Sequence, residues 1–398
     1  FPTRRSSDLK EVNSGKFVGM LLMDLQKAFD TVDHQILCHK LSEVGLDNLS
    51  VQWFQSYLLE RNQSVCINGT MSESRKIICG VPQGSILGPI LFQIYINDMV
   101  KAVNCKLLLY ADDSVLLVSG KDHNQIENIL SRELESVSRW LIENKLSLHL
   151  GKTESILFGS KKKIKGKSLN IKCNNTEIQH KSQVKYLGTV LDQTLSSETT
   201  GKEIVRKCNN RLKFLYRNNL YLNQKTRKLL CNALIQCHID YGCTSWYSSL
   251  LVAHKRKLQT CQNKMARFVL GLNARAHIGN QEIIKLKWLP IEKRVAQLKL
   301  HQVHKITYNR APEYLSEIFA EYKTNPVHET RNNSLKYKLP DMRSKLSRTS
   351  FLYTGIKEWN SLPGDIKSIE NFNSFKINVK KHLSDELLRT ERQDFTFY

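Results

Sequence analysis

Apolar and polar positions along this chain follow two periods, first that of strands mixed with helices and then that of helices alone. Residues 17–23 form a nearly unbroken apolar run, suited to a buried strand, and the run ends at Asp24. Residues 26–39 place Phe29, Val32, Ile36 and Leu37 at roughly helical spacing, which predicts a short helix. Residues 64–70 and 76–79 read as paired strands, the first ending at the turn dipeptide Asn68-Gly69. Val81-Pro82-Gln83-Gly84 is a loop by its Pro and Gly content. A helix over residues 87–100 runs out of it, with Pro89 tolerated in the first turn. Next comes an apolar run at Leu107-Leu108-Leu109, then Tyr110-Ala111-Asp112-Asp113, then a second apolar run at Val115-Leu116-Leu117-Val118. That order predicts a β-hairpin with both aspartates at its tip.

Residues 124–145 predict an amphipathic helix with Ile126, Ile129, Leu130, Leu134, Val137, Trp140 and Leu141 on one face. Further strands are expected at 155–159 and 184–191, with a basic, solvated loop at 161–167 between them. From residue 201 the pattern turns wholly helical. One stripe is Ile204, Val205, Cys208, Leu212 and Leu215. A second is Leu229, Leu230, Ala233, Leu234 and Cys237, and a third is Leu258, Cys261, Met265, Phe268 and Val269. Residues 325–357 are polar and basic with few apolar clusters, which predicts a loosely ordered segment. A final helix is expected at 372–388. The fold class is therefore α+β, a sheet backed by helices and followed by a mainly helical region.

Composition narrows the partners. The chain has 398 residues, 41% hydrophobic, with a mean hydropathy of -0.39, as expected of a soluble globular protein of two or three domains. Its longest nearly apolar stretch, residues 86–96, is too short to span a bilayer. No signal-peptide pattern opens the chain. The ten cysteines are scattered without a C-x-x-C pair, which predicts reduced thiols and an intracellular protein of nucleus and cytoplasm. Cys231, Cys237, His238 and Cys243 cluster at a spacing that matches no standard zinc pattern and read as helix residues.

Net charge is +23, and residues 201–300 alone carry 20 basic side chains against 4 acidic ones. So lopsided a segment points to a polyanion, with nucleic acid ahead of an anionic membrane, for which there is no lipidation signal. The first nine residues back-translate to a widely used DNA-sequencing adapter and are set aside as an assembly artefact.

Two adjacent carboxylates repel each other unless a cation neutralises them. Asp-Asp is also common in ordinary turns, so the hairpin alone leaves both readings open. The order of further motifs decides between them. Met23 to His34, Gly80 to Phe92, Tyr110 to Asp113, Asn144 to Thr153 and Val184 to Gly188 together resemble the motifs of reverse transcriptases. More narrowly, they resemble the non-LTR (LINE-type, jockey-like) retrotransposon group. The resemblance runs without a gap from residue 17 to about 195. It implies a right-hand polymerase palm over residues 10–195 with residual fingers, a helical thumb over 196–300, and a C-terminal region over 301–398 of unknown role. Lys357-Glu358-Trp359-Asn360-Ser361-Leu362-Pro363 resembles a tail motif of related elements.

The resemblance also implies roles. Asp24 and Asp112 would bridge two Mg²⁺ ions, with Mn²⁺ as an alternative and Asp113 in support. Lys152 would protonate the pyrophosphate leaving group. Phe29 would be a steric gate against a 2′-hydroxyl, and Gln83, Gly84, Tyr110 and Ala111 would border the incoming nucleotide. Tyr186, Leu187 and Gly188 would form the primer grip. Asp30 and Asp33 are expected to be capping or solvent-facing. Lys202, Arg206, Lys207, Arg211, Lys213, Arg217, Lys255, Arg256 and Lys257 would contact nucleic-acid phosphates.

The expected partners are an RNA template, a DNA primer, dNTPs and the element's own RNA, with no membrane. The sequence predicts a chain cut short upstream, without complete fingers, that binds nucleic acid and polymerises poorly. The alternatives are a non-catalytic nucleic-acid-binding remnant and a telomerase- or group II intron-type enzyme. The Ala-Phe-Asp-Thr-Val-Asp-His wording favours the LINE-type group over the latter.

Overall fold

The computed structural model describes residues 11, 14–218, 222–324, 335–342 and 344–395. Phe1 to Leu9 lie outside them. Contacts divide the chain into two compact units, residues 15–188 and a second unit dominated by residues 189–398. The sequence placed its boundary near residue 195.

The first unit is built on a five-stranded sheet. β1 (Phe17–Met23) is central, β2 (Lys106–Tyr110) and β3 (Asp113–Gly120) form the hairpin, and β4 (Glu154–Phe158) and β5 (Gln179–His180) complete it in the order β5-β4-β1-β3-β2. β1 runs antiparallel to both β3 and β4, with Met23 opposite Ser114 and Val18 opposite Phe158. β1 is buried on both faces, which is why its sequence is a continuous apolar run rather than an alternating one. The long helix α4 (His123–Glu143) lies against this sheet, and its N-cap Asp122 accepts from Asn124 N. Ile126, Leu130, Leu134 and Val137 are fully buried, as their spacing predicts. The packing is tight at Gly19, where a Cβ would meet Ile126 Cγ2 at 2.3 Å and Leu130 Cδ1 at 2.9 Å.

Three local expectations change. The helix predicted from residue 26 begins instead at α1 (His34–Glu43). Lys27 adopts φ 45°, a left-handed conformation that breaks helical propagation. Asp33 then stops the turn and caps α1, its carboxylate accepting from Gln35 N and Ile36 N, both at 3.0 Å. Phe29 and Val32 still reach the core, but from a looped segment.

After α2 (Asn48–Leu58), residues 62–76 form two minimal ladders rather than the two longer strands expected. Asn62–Gln63 pairs with Arg75–Lys76, and Cys66–Ile67 pairs with Thr70–Met71 around the Asn68-Gly69 turn. All of these residues are exposed, so no buried face selects a longer register. The helix after the Pro/Gly loop, α3, spans Leu87–Ile96 and tightens into a 3₁₀ segment at Asn97–Ala102. In the basic run, Lys161–Ile164 makes one helical turn with Ile164 buried, instead of a wholly solvated loop. β6 (Gln183–Tyr186) closes the unit.

The second unit opens with β7 (Thr189–Asp192) and is otherwise helical: α5 (Glu198–Arg217), α6 (Gln224–Cys231), α7 (Val252–Leu270), α8 (Asn280–Lys285), α9 (Ile291–Thr307), α10 (Glu313–Ala320), α11 (Phe351–Ser361) and α12 (Phe372–Phe395). The first and third predicted stripes are right: Ile204, Cys208, Leu212 and Leu215 on α5 are buried, as are Leu258, Cys261, Met265, Phe268 and Val269 on α7.

The second stripe is right only in part: Leu230 and Leu234 pack against the core. Leu229 and Cys237 are exposed, and Cys231, Ile235 and Ile239 are buried instead. A π-helical turn follows at Asn232–Gln236. A second core gathers Val303, Phe319, Phe351, Ile356, Trp359 and Phe375.

Residues 325–334 and 343 of the segment expected to be loose lie outside the described residues. Among the described ones, Phe351, Leu352 and Ile356 are buried in α11, so that part is packed. The Trp-Asn pair of the tail motif is a structural pin. Trp359 Nε1 donates to Leu335 O at 2.7 Å, and Asn360 Nδ2 donates to Tyr337 O at 2.7 Å.

Candidate polymerase site

Two strand ends bring the carboxylates together. Ala111 and Asp112 form the two-residue turn between Tyr110 and Asp113, which pair across the hairpin. Ala111 sits at φ 51°, an unusual conformation for a residue with a side chain, and it turns the chain sharply enough to set Asp112 at the tip. Met23 pairs with Ser114 on β3, so one step further along the same ladder Asp24 comes opposite Asp113. The backbone of Asp24 is pinned from the other side by His149 N, which donates to Asp24 O at 2.7 Å.

The electrostatics confirm the crowding. Partial burial, followed by the charges of Asp112 and Asp24, raises the Asp113 carboxyl above its ordinary pKa. Lys152 Nζ lies 3.5 Å from Asp24 Oδ2, with its side chain 65% exposed, so a mobile ammonium already stands beside this anionic cluster.

Among the described residues no three His, Cys, Asp or Glu side chains are gathered tightly enough to cage a metal by themselves. Mg²⁺ does not need such a cage, because it retains waters and takes substrate phosphates beside one or two carboxylates. The donor set, all hard oxygen with three carboxylates against the one ammonium of Lys152, fits a hard divalent cation.

The loop over residues 80–88 is fastened to the segment after Asp24. Gly80 N donates to Val32 O and Val81 N to Phe29 O, at 2.7 and 2.8 Å. His34 Nε2 lies 2.8 Å from Gly80 O. A Cβ at Gly80 would come within 2.8 Å of Asp30 O, so only glycine permits this approach. Gln83 is exposed and donates from Nε2 to Asp30 Oδ1 at 2.7 Å. Asp30 therefore lies in the loop before α1 and orients Gln83, a role that its neighbours in sequence do not reveal.

Asp33 is the helix cap expected of it, and it also receives Lys145 Nζ at 2.6 Å. Lys145 and Asn144 belong to the fourth motif, and a buried tyrosine that sequence reasoning passed over joins that motif to the first. Tyr95 OH donates to Asn144 O at 2.6 Å and accepts from Asp33 N at 3.3 Å.

The Phe29 ring is half-buried and stacks on Phe92, with centroids 4.5 Å apart. Gly84 takes φ +81° in open space, and Tyr110 is 61% exposed. Tyr186 is buried, while Leu187 and Gly188 both adopt left-handed backbone, at φ 45° and 78°.

In the second unit, Lys202, Arg206, Lys213 and Arg217 are exposed and fall on the side of α5 opposite its buried stripe at 100° per residue. Lys207 is half-buried and Arg211 exposed on a flank. On α7, Arg256 and Lys257 are exposed, and Lys255 Nζ lies 5.1 Å over the Tyr247 ring. Lys202, Arg206, Arg211 and Lys213 make no ion pair among the described residues.

Comparison with known proteins agrees with this arrangement. The family described as reverse transcriptase (RNA-dependent DNA polymerase) matches residues 2–191. The chain is 27% identical over 279 residues to the RNA-directed DNA polymerase from mobile element jockey of Drosophila funebris, covering 66% of this chain and 29% of that protein. It is equally 27% identical over 278 residues to the probable RNA-directed DNA polymerase from transposon BS of Drosophila melanogaster, covering 66% and 30%.

The apo telomerase structure from Candida tropicalis overlaps 71% of this chain and 47% of that one, at 11% identity and a TM-score of 0.39, too weak a likeness to define the fold. Residues 2–191 thus match the reverse transcriptases, a family of RNA-directed DNA polymerases that generally use divalent metal ions. The relatives that the chain resembles, jockey and BS, belong to the non-LTR, LINE-type retrotransposon group. The chain spans less than a third of the length of these curated relatives.

Proposed function

We propose that this chain is the part of a retrotransposon polymerase that adds dNTPs to the 3′-hydroxyl of a DNA primer on an RNA template. The observation that carries the reading is the crowding of Asp24, Asp112 and Asp113 where β1 and the hairpin end, beside the fastened 80–88 loop. Two Mg²⁺ ions, or Mn²⁺ in their place, held by Asp24 and Asp112 with Asp113 near, supply charge neutralisation for the entering and leaving oxygens.

The protein's own groups do the positioning. The Phe29 ring, braced by Phe92, lies under the sugar and excludes a 2′-hydroxyl. Gln83, with one amide N–H committed to Asp30, keeps its carbonyl and second N–H for the nucleotide and template. Gly84, Tyr110 and Ala111 border the same space. Lys152 leaves Asp24 to give a proton to the departing pyrophosphate. Tyr186, Leu187 and Gly188 hold the primer end, and the cationic faces of α5 and α7 hold the duplex phosphates in a salt-sensitive, sequence-independent manner. The element's RNA, in nucleus and cytoplasm, is the expected template.

The test is RNA-templated primer extension with Mg²⁺ by this chain. Extension abolished by Asp112→Asn supports the reading. Tight template–primer binding with no extension under any divalent ion would instead establish a nucleic-acid-binding remnant.

A further inference from the structure

The helical unit holds a pocket lined by none of the residues assigned above to polymerisation. It measures about 390 Å³, within the range of roughly 300–1,000 Å³ usual for small-molecule sites. One wall is the π-helical turn at Asn232–Gln236, a kind of irregularity frequent at functional sites. The others are the turn after α8 with Lys287 and Trp288, Arg294 of α9, and Lys380 of α12.

Charge in the pocket is lopsided. Its carboxylate, Asp240, is committed to Arg294, with Nη2 and Oδ2 2.8 Å apart. Lys380 Nζ donates to Lys287 O at 2.7 Å, and neither lysine has a carboxylate partner among the described residues. Burial, then repulsion from Arg294, Lys228 and Lys287, lowers the Lys380 pKa, so positive potential here is uncompensated.

Two lining side chains also carry polar atoms without a partner, both closed to solvent as they stand, so that a ligand reaches them by a small side-chain shift. Trp288, 9% exposed, has an Nε1–H without an acceptor. Gln236 donates from Nε2 to Asp240 Oδ1 at 2.8 Å while its Oε1 accepts from nothing. A flat indole, one free donor, one free acceptor and two ammonium groups complement a base edge joined to a phosphate.

We propose that this pocket binds a single nucleotide unit, its phosphate against Lys287 and Lys380 and its base against Trp288 and Gln236. The unit is either a free nucleotide or an unstacked residue of an RNA strand, since both present the same chemistry. Binding involves neither the carboxylate cluster nor a divalent ion, so it stands or falls apart from the polymerase reading.

The test titrates the full chain in EDTA with AMP, UMP, inorganic phosphate, an RNA pentamer and an abasic pentamer, following tryptophan fluorescence. AMP or UMP and the RNA pentamer should quench a component that is absent in Trp288→Phe. Their affinity should fall at least about five-fold in the double variant Lys287→Gln/Lys380→Gln, the scale of losing charge-assisted contacts. Gln236→Leu, which leaves the cations in place, should weaken the base-bearing ligands and not phosphate. It decides the matter if the double variant misfolds.

Tighter binding of the pentamer than of the mononucleotides assigns a strand; equal binding assigns a free nucleotide. Equal quenching by phosphate or by the abasic strand would reduce the pocket to an anion site and overturn the nucleotide assignment. A natively folded chain showing no Trp288-dependent quenching with any ligand would overturn the site itself.

Discussion

The end of the sheet and the pocket of the helical unit are electrostatic opposites. At the first, burial and two neighbouring carboxylates raise the pKa of Asp113. At the second, burial and three neighbouring cations lower the pKa of Lys380. Two other charges, Lys40 and Asp33, are compensated in place. Lys40 Nζ lies 2.7 Å from Asp98 Oδ1 and donates to Tyr95 O, and Lys145 meets Asp33. Paired charge of that kind is explained by folding alone. Like charge held together has a standing cost that a ligand of opposite sign removes, and such groups cluster at functional sites. The difference separates the carboxylates proposed for chemistry from those that only hold the fold.

The largest effect should come from the anionic cluster. Asp24→Asn or Asp112→Asn should reduce primer extension by about 10²–10³-fold or more, the scale of losing a main electrostatic stabiliser. Template–primer affinity in a gel-shift assay should be unchanged, and retained extension would break the comparison. Next, Gly19→Val should destabilise the first unit by about 1–3 kcal/mol in denaturant unfolding, because the added atoms overpack Ile126 and Leu130. Tyr95→Phe should cost about 1–3 kcal/mol by leaving Asn144 O short of its donor in the core.

The smallest effect sharpens the contrast between two aspartates. The raised pKa of Asp113 means that its favourable contribution is full below the ordinary value of 3.8 and is lost as pH rises through its folded value. Asp113→Asn should therefore raise the melting temperature at pH 7 and lose that gain near pH 3. Asp33 is the reverse case. Burial opposes its charge, but the Lys145 hydrogen bond and the backbone N–H of Ile36 and Gln35 outweigh it and lower the pKa. Its contribution is present above 3.8 and lost as pH falls through the folded value. Asp33→Asn should therefore lower the melting temperature at pH 7 and have less effect near pH 3. Opposite shifts for the two aspartates support the comparison, and matching shifts would remove it.

Sequence by itself determined the elements whose burial repeats with one period: β1 as an apolar run, the hairpin with its aspartates at the tip, and the faces of α4, α5 and α7. Each carries enough side chains on one face for the period to stand out, and the order of motifs then placed Asp24 with Asp112 and Asp113. Tertiary structure alone decided the rest. A left-handed Lys27 delays α1, and beside a π-helical turn packing buries Cys231, Ile235 and Ile239 while Leu229 and Cys237 stay exposed. Neither event has a side-chain pattern of its own.

The partners that orient the sites are also remote. Gln83 and Asp30 are 53 positions apart, His34 and Gly80 are 46, and Lys380 and Lys287 are 93. Periodicity reports which face of an element is covered. It carries no record of which distant side chain completes a hydrogen bond or leaves a charge unpaired, because that depends on how separate elements pack.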